Sequence, residues 1–177
     1  MKPVPVNTIP NHYDTQKLSV GMIVICNDEV LVNKDELQGI IIYNTFGTFF
    51  NGDNHHEQIM TVQKEQLGTS YDVDHHGEMI EYIHKPPPDG RVQLTAYVYT
   101  LPLNEEQKSR LNLKDNQFWV SKKEIQESDA IREDDKIIFE RLFNNEHINI
   151  VMDVDQMGKW IDAKLLAWGV LDRSIES

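Results

Sequence analysis

Three polar side chains stand four residues apart in the middle of the chain, at Glu57, Thr61 and Glu65. Residues at this spacing share one side of an α-helix. Carboxylate oxygens are the ligands that Mg²⁺ and Mn²⁺ prefer in proteins, so this line is a candidate metal site. A solvated helix edge has the same pattern, which leaves both interpretations open. Glu78 and Glu81 follow shortly and could supply a carboxylate from outside the helix.

Histidines near the same place suggest a second kind of metal site. His55 and His56 lie beside Asp53 and Glu57, and imidazoles with carboxylates can bind Zn²⁺ or Ni²⁺. Adjacent helical residues point about 100° apart, so the two rings converge poorly on one ion. The run Val73–His76 is similar to the metal-binding step of the DHH phosphoesterases, but the further Asp and His motifs of that family are missing. A polar strand edge explains it as well.

Local capping signals define the helix that carries these residues. Asn54 is a good N-cap, and Glu57 follows it three residues later, as in a capping box. Gly68 stands where a left-handed C-cap would end the helix. The pattern predicts a helix over His55–Leu67, with Val62, Glu65 and Gln66 on one face.

The rest of the chain predicts several strands and further helices. Apolar, β-branched or alternating runs indicate strands at Leu18–Cys26, Glu29–Asn33, Gly39–Asn44, Ser70–His75, Glu78–His84, Arg91–Thr100 and Phe118–Val120. A capping box at Ser121–Glu124 opens a short helix. Further helices are predicted at Ile131–Phe143 and at Asp155–Trp168, where Trp160 and Trp168 share an apolar side.

The segment Gly47–Thr69 resembles a Nudix box, the loop–helix–loop GX5EX7REUXEEXGU in which U is apolar. Gly47 fits its first glycine and Gly68 its last. Asp53 stands where the first glutamate belongs. The segment aligns with the box without an insertion or a deletion. Farther along, Trp119–Ile125 is similar to the family's W-V-S-x-x-E-L element. The resemblance covers about Leu18 to Phe143 and implies an α/β fold, a Nudix-like α/β/α sandwich with a mixed sheet.

The REUXEE core of the box is altered in this chain. It reads Thr61, Val62, Gln63, Lys64, Glu65 and Gln66. Only Glu65 remains of the three carboxylates that the resemblance implies as ligands of a divalent metal. Glu65 is therefore the candidate catalytic residue and a weak metal ligand, and Glu57 is a second weak metal ligand. Mg²⁺ or Mn²⁺ is expected as a cofactor only if the protein is catalytic.

Composition limits the partners. The chain has 177 residues, 40% hydrophobic and 26% charged, with a net charge of −12 and one cysteine. Such an acidic chain offers no basic stripe for nucleic acid or for an anionic membrane. The single cysteine, Cys26, excludes a disulfide within the chain, and no signal or spanning segment is apparent, so we expect a cytoplasmic protein.

The sequence thus predicts an N-terminal arm over residues 1–17, a Nudix-like domain over 18–145 and a C-terminal helical extension over 146–177. We expect a domain with a degraded metal box, non-catalytic or weakly active, that binds a nucleotide-type small molecule or a protein partner. The alternative is a divergent Mg²⁺- or Mn²⁺-dependent pyrophosphohydrolase acting on a nucleoside diphosphate linked to another moiety. The C-terminal helix could be covered by its own domain or by a second copy in a homodimer.

Overall fold

A computed structural model describes residues 15–37, 39–52, 54–84, 91–155 and 160–167. The strands within these ranges are β1 (Thr15–Cys26), β2 (Glu29–Leu37), β3 (Ile40–Asn44), β4 (Phe46–Phe49), β5 (Asp74–His84), β6 (Arg91–Pro102), β7 (Gln117–Ser121), β8 (Ile148–Asp155) and β9 (Trp160–Ala167). The helices are α1 (His55–Leu67), α2 (Glu105–Arg110), α3 (Lys122–Glu127) and α4 (Glu133–Phe143).

The strands form one mixed sheet in the order β3-β2-β1-β6-β5-β8-β9, with β4 paired to β1 and β7 paired to β2. The pairs β1–β6 and β5–β8 are parallel, and the other pairs are antiparallel. The parallel pair β1–β6 lies in the middle of the sheet, where both faces are covered by helices, as parallel strands require.

Alternation along β1 divides the core into two layers. Val20, Met22 and Val24 point to the face covered by α1, where they pack with Ile59 and Val62. Side chains of the other face pack against Ile138 and Phe139 of α4, among them Ile23, Met79, Ala96 and Val98. The predicted α/β/α sandwich with a mixed sheet is therefore confirmed.

The predicted C-terminal helix is wrong where the structure describes it. Trp160–Ala167 forms β9, which pairs antiparallel with β8, and β8 pairs in parallel with β5. Ile148 and Ile150 of β8 are buried in the α4-side core. Pairing of this segment with the open edge of β8 thus outweighs its local helical periodicity, as tertiary context often does. Trp168 and most of the predicted arm lie outside the described residues, although Thr15–Lys17 begin β1.

Candidate functional site

Helix α1 begins and ends where its capping residues predict. The Asn54 Oδ1 atom accepts a hydrogen bond from the Glu57 backbone N–H at 2.9 Å. Gly68 has φ 69°, and its N–H donates to the Lys64 carbonyl at 3.0 Å. A left-handed residue is easiest for glycine, which explains Gly68 at this end. The prediction of a helix over His55–Leu67 is confirmed.

The carboxylate line of α1 faces solvent. Glu57, Thr61 and Glu65 are all exposed, and the Thr61 hydroxyl donates to the Glu57 carbonyl at 3.2 Å. At 1.5 Å per residue, Glu57 and Glu65 are about 12 Å apart along the helix axis. Both side chains would have to extend fully along the axis to reach one ion. Each carboxylate therefore acts as a separate surface charge.

The three box positions Val62, Glu65 and Gln66 have different surroundings. Val62 is 1% exposed and packs in the α1-side core. Glu65 is exposed, and the Gln66 side-chain amide donates to the Gly47 carbonyl at 3.4 Å. This face thus presents one free carboxylate beside an amide that already has a partner.

Gly47 is required by the approach of two strands. It pairs with Gly21 across β1 and β4, and a Cβ atom at Gly47 would lie 2.5 Å from the Val20 carbonyl oxygen. That distance is a clash with backbone, so a larger residue would push β4 away from β1. The glycine holds the box loop close to the sheet, whatever the chemistry of the site.

Gln63 ties the end of α1 to the chain that follows it. Its side chain is fully buried, at 0% exposure. Its Nε2 atom donates to the Tyr71 carbonyl at 2.8 Å, and its Oε1 atom accepts from the Tyr71 N–H at 2.6 Å and from the Thr69 hydroxyl at 2.8 Å. These bonds satisfy a buried amide that would otherwise be costly.

On the opposite face of the sheet, a cavity of about 590 Å³ lies between β1, β6, β5, the β3–β4 connection and the start of α4. Its polar lining includes Glu81 from β5 with Arg132, Asp134 and Asp135 from the start of α4. Glu81 is 2% exposed and Asp134 1% exposed. Burying a charged or polar group costs free energy unless the group is paired. These carboxyl groups are therefore the part of the cavity lining whose burial costs the most free energy.

One guanidinium joins two of these carboxyl groups. Arg132 Nε donates to Asp134 Oδ1 at 3.0 Å, an Arg132 terminal nitrogen contacts Asp134 Oδ2, and the same nitrogen donates to Glu81 Oε1 at 3.3 Å. Burial lowers the pKa of Arg132, but Asp134 and Glu81 outweigh it and hold that pKa above its ordinary value. Arg132 therefore stays charged and cannot neutralise all three acids.

Protonation of carboxyl groups reduces the negative charge that Arg132 does not neutralise. Burial, and then the neighbouring Asp134, raise the pKa of Asp135 to about 7. Burial and the hydrogen bond with Asp134 also raise the pKa of Glu81 well above its ordinary value. At neutral pH the inner end of the cavity holds protonated and ionised carboxyl groups together. It can both donate and accept hydrogen bonds to a bound molecule.

The two histidines at the start of α1 have separate environments. The His55 ring stacks on Tyr97 at 4.1 Å between centroids and 4° between planes, and its Nδ1 atom shares a hydrogen bond with the Tyr99 hydroxyl. Burial, and then His75, lower the pKa of His55. His56 is exposed. Among the described residues, no three His, Cys, Asp or Glu side chains are placed to hold a metal ion.

Comparison with known proteins gives matches at the level of structure. No protein-family model matches the sequence, and no curated protein does. A mutator MutT protein from Bacillus halodurans superposes with a TM-score of 0.67 at 16% identity, over 84% of this chain and 97% of that chain. The chain has the Nudix fold.

Two further structures with the Nudix fold cover most of the chain. A MutT protein from Methanosarcina mazei has a TM-score of 0.53 at 18% identity, over 74% of this chain and 94% of that chain. The Nudix domain of Shewanella oneidensis NrtR, in complex with ADP ribose, has a TM-score of 0.52 at 10% identity, over 80% and 93%. At these identities the comparison concerns the fold alone.

In the segment that resembles a Nudix box, the described positions Val62, Glu65 and Gln66 do not fit a divalent metal. Mg²⁺ needs several hard oxygen ligands at about 2.1 Å. Val62 offers none, and the Gln66 amide points an N–H group at the Gly47 carbonyl, a contact that a cation would have to replace. Of these three positions only Glu65 offers a carboxylate. Asp53 lies outside the described residues.

Sequence reasoning found the box helix but missed the cavity. Glu81 was a candidate only as a carboxylate from outside the helix, and Glu78 is half-buried on the same strand. Arg132, Asp134 and Asp135 gave a weak signal, three charges at the start of an apolar helix. Their convergence on Glu81 needs a contact across 51 residues.

No described helix is long and apolar enough to cross a membrane.

Proposed function

We propose that the protein is a Nudix-fold domain that binds a nucleotide-type ligand and hydrolyses it weakly or not at all. The proposal rests on one combination of features. The box face has few carboxylates, and its Gln66 amide is already hydrogen-bonded to the Gly47 carbonyl. On the other face of the sheet, a cavity is lined at one end by Glu81, Asp134 and Asp135. The first argues against metal chemistry, and the second favours binding.

The cavity suits the edge of a nucleobase. Such an edge carries amino donors beside ring-nitrogen or carbonyl acceptors. Ionised carboxylates accept from the donors, and a carboxyl group protonated near neutral pH, as at Asp135, donates to an acceptor. The apolar part of the lining, including Ala96 and Val98, suits the faces of a ring. The ADP ribose bound by the NrtR domain is a ligand of this chemical class.

Hydrolysis would need more charge than the box face supplies. Splitting a diphosphate requires neutralisation of its oxygens and activation of a water molecule, usually by metal ions. Glu65 is the single carboxylate among Val62, Glu65 and Gln66. We therefore expect turnover far below the range of about 1–1,000 per second that is typical of enzymes.

The test is a panel of ADP ribose, nucleotide sugars, dinucleoside polyphosphates and nucleoside triphosphates. Binding is measured by calorimetry, and turnover by product analysis with and without Mg²⁺ or Mn²⁺. We expect at least one ligand to bind, and Asp135→Asn to weaken it by about tenfold, the effect of about 1.4 kcal/mol. Asp129→Asn, an exposed acid outside the cavity, is the matched control.

Two outcomes would overturn the proposal. If no member of the panel binds, the ligand class is wrong, and the protein-partner alternative replaces it. If a member is hydrolysed at an enzymatic rate and Glu65→Gln abolishes this turnover, the protein is a divergent pyrophosphohydrolase that works with one box carboxylate.

A further inference from the structure

On the cavity's side of the sheet, a row of three cross-strand neighbours runs from a basic residue to an acidic one. Lys17 of β1 pairs with Leu94 of β6, and Leu94 pairs with Glu81 of β5, so the three side chains project to the same side. Two strand spacings of about 4.8 Å place the Lys17 and Glu81 backbones about 10 Å apart. The Glu81 end is acidic, and the Lys17 end is basic.

An exposed aromatic ring lies beside this lysine. Phe49 pairs with Ser19, which projects to the same face as Lys17, and Phe49 belongs to the cavity lining. It is 63% exposed, the highest value among the large exposed hydrophobic side chains of the described residues. The Lys17 ammonium nitrogen lies 5.5 Å from the centre of the ring.

The acidic end cannot receive a phosphate. Its one guanidinium, on Arg132, is already bonded to Asp134 and Glu81. A nucleotide whose base reaches Glu81 must therefore direct its phosphates away from the acids, toward the basic end. Within the described part of the chain, no carboxylate lies within ion-pair distance of Lys17, so its ammonium group is available there.

We propose that Phe49 and Lys17 form a second subsite, in which Phe49 stacks on a second planar ring of the ligand and Lys17 pairs with the phosphates between the two rings. This inference rests on the proposed function, because it needs the first ring in the cavity. It assigns Phe49 as the residue that selects two-ring ligands over one-ring ligands. Stacking removes the facing surfaces of both rings from water, so an exposed ring such as Phe49 gains the most binding free energy from it.

The experiment compares two ligands that share a nucleoside diphosphate, diadenosine diphosphate with two bases and ADP ribose with one. Binding to the full chain is measured by calorimetry in EDTA. We expect the parent protein to bind the two-ring ligand more tightly. Phe49→Ala should weaken that ligand by about 5- to 100-fold, the range of aromatic–base stacking, and change the affinity for ADP ribose by less than about twofold, within the scatter of a surface substitution.

Lys17→Gln separates the phosphate contact from the stacking contact. It should weaken both diphosphates equally and reduce the salt dependence of their binding, while the affinity for adenosine stays unchanged. Ile41→Ala, which removes another exposed hydrophobic side chain outside the cavity lining, is the control for Phe49→Ala. Circular dichroism confirms that each variant is folded.

The possible failures are distinguishable. If neither ligand nor any nucleotide binds the parent, the proposed function fails, and this subsite fails with it. If the ligands bind but Phe49→Ala affects both equally or neither, only the second subsite is wrong. If Phe49→Ala instead halves the particle mass in sedimentation, Phe49 is a contact between two copies of the chain, which also overturns the subsite.

Discussion

The side-chain amide of Gln66 donates a hydrogen bond to the Gly47 carbonyl oxygen across 3.4 Å, which joins the last turn of α1 to strand β4. A carboxylate at position 66 would face the same oxygen with no proton to offer. Two facing oxygens repel unless a cation lies between them. The amide therefore closes the box loop onto the helix by a neutral hydrogen bond.

Gln66→Glu should create a cation site that the parent protein lacks. The new carboxylate and the Gly47 carbonyl would supply oxygen ligands of the kind that Mg²⁺ and Mn²⁺ prefer. We expect Mn²⁺ affinity, measured by calorimetry, to rise by about tenfold or more, which is about 1.4 kcal/mol.

Gln126→Glu makes the same charge change on α3 and serves as the control. An equal rise in both variants would mean that net charge alone attracts the ion. No rise in a folded Gln66→Glu protein would mean that the alignment of this helix with the Nudix box is wrong.

Gln63→Leu should destabilise the protein although the resemblance places an apolar residue at this position of the box. Leucine would leave the Tyr71 N–H and carbonyl and the Thr69 hydroxyl without their partner. We expect a loss of about 3 kcal/mol in the free energy of unfolding by urea. Gln58→Leu on the same helix is half-buried and should change it by less than about 0.5 kcal/mol. Equal effects of the two would refute the role of Gln63.

The titration of Asp135 should lower the stability of the protein as the pH rises from about 4 to about 7. The pKa of Asp135 is about 7 in the folded protein against an ordinary 3.8. In this window the folded state keeps a proton that the unfolded state has released, so the free energy of unfolding decreases with pH. Glu81, whose pKa is also raised, acts in the same direction.

Asp135→Asn should flatten this dependence because asparagine does not titrate. Melting temperatures between pH 4.5 and 8 measure the slope, and Asp129→Asn, exposed and outside the cavity, should leave it unchanged. A slope that is the same in Asp135→Asn and the parent would show that this carboxyl group titrates normally.

A chain that stops after Asn145 should not fold. It loses β8, and with it Ile148 and Ile150 from the core and the parallel partner of β5. Losses of large buried side chains cost about 2–5 kcal/mol each, which approaches the stability of a whole domain. A chain that stops after Asp155 keeps β8 and loses β9, so it should fold with a lower melting temperature. An Asn145 truncation with an unchanged melting temperature would contradict the place of β8 in the core.

Helix α1 could be predicted from adjacent residues alone. Asn54 and Gly68 cap backbone groups only a few residues away, so the bounds of the helix can be predicted from local sequence. The α/β/α sandwich was implied by the resemblance to the Nudix family, which depends on Gly47–Thr69 and on Trp119–Ile125.

The cavity and the C-terminal strands depend on contacts between distant parts of the chain. The bond between Glu81 and Arg132 joins residues 51 apart, and the row from Lys17 through Leu94 to Glu81 depends on the register of three strands. The apolar residues near Trp160 fit a helical period, but the open edge of the sheet offered unpaired backbone groups, and pairing satisfied them. Contacts of this kind depend on which distant segments of the chain come together in the fold, and local sequence patterns do not specify that.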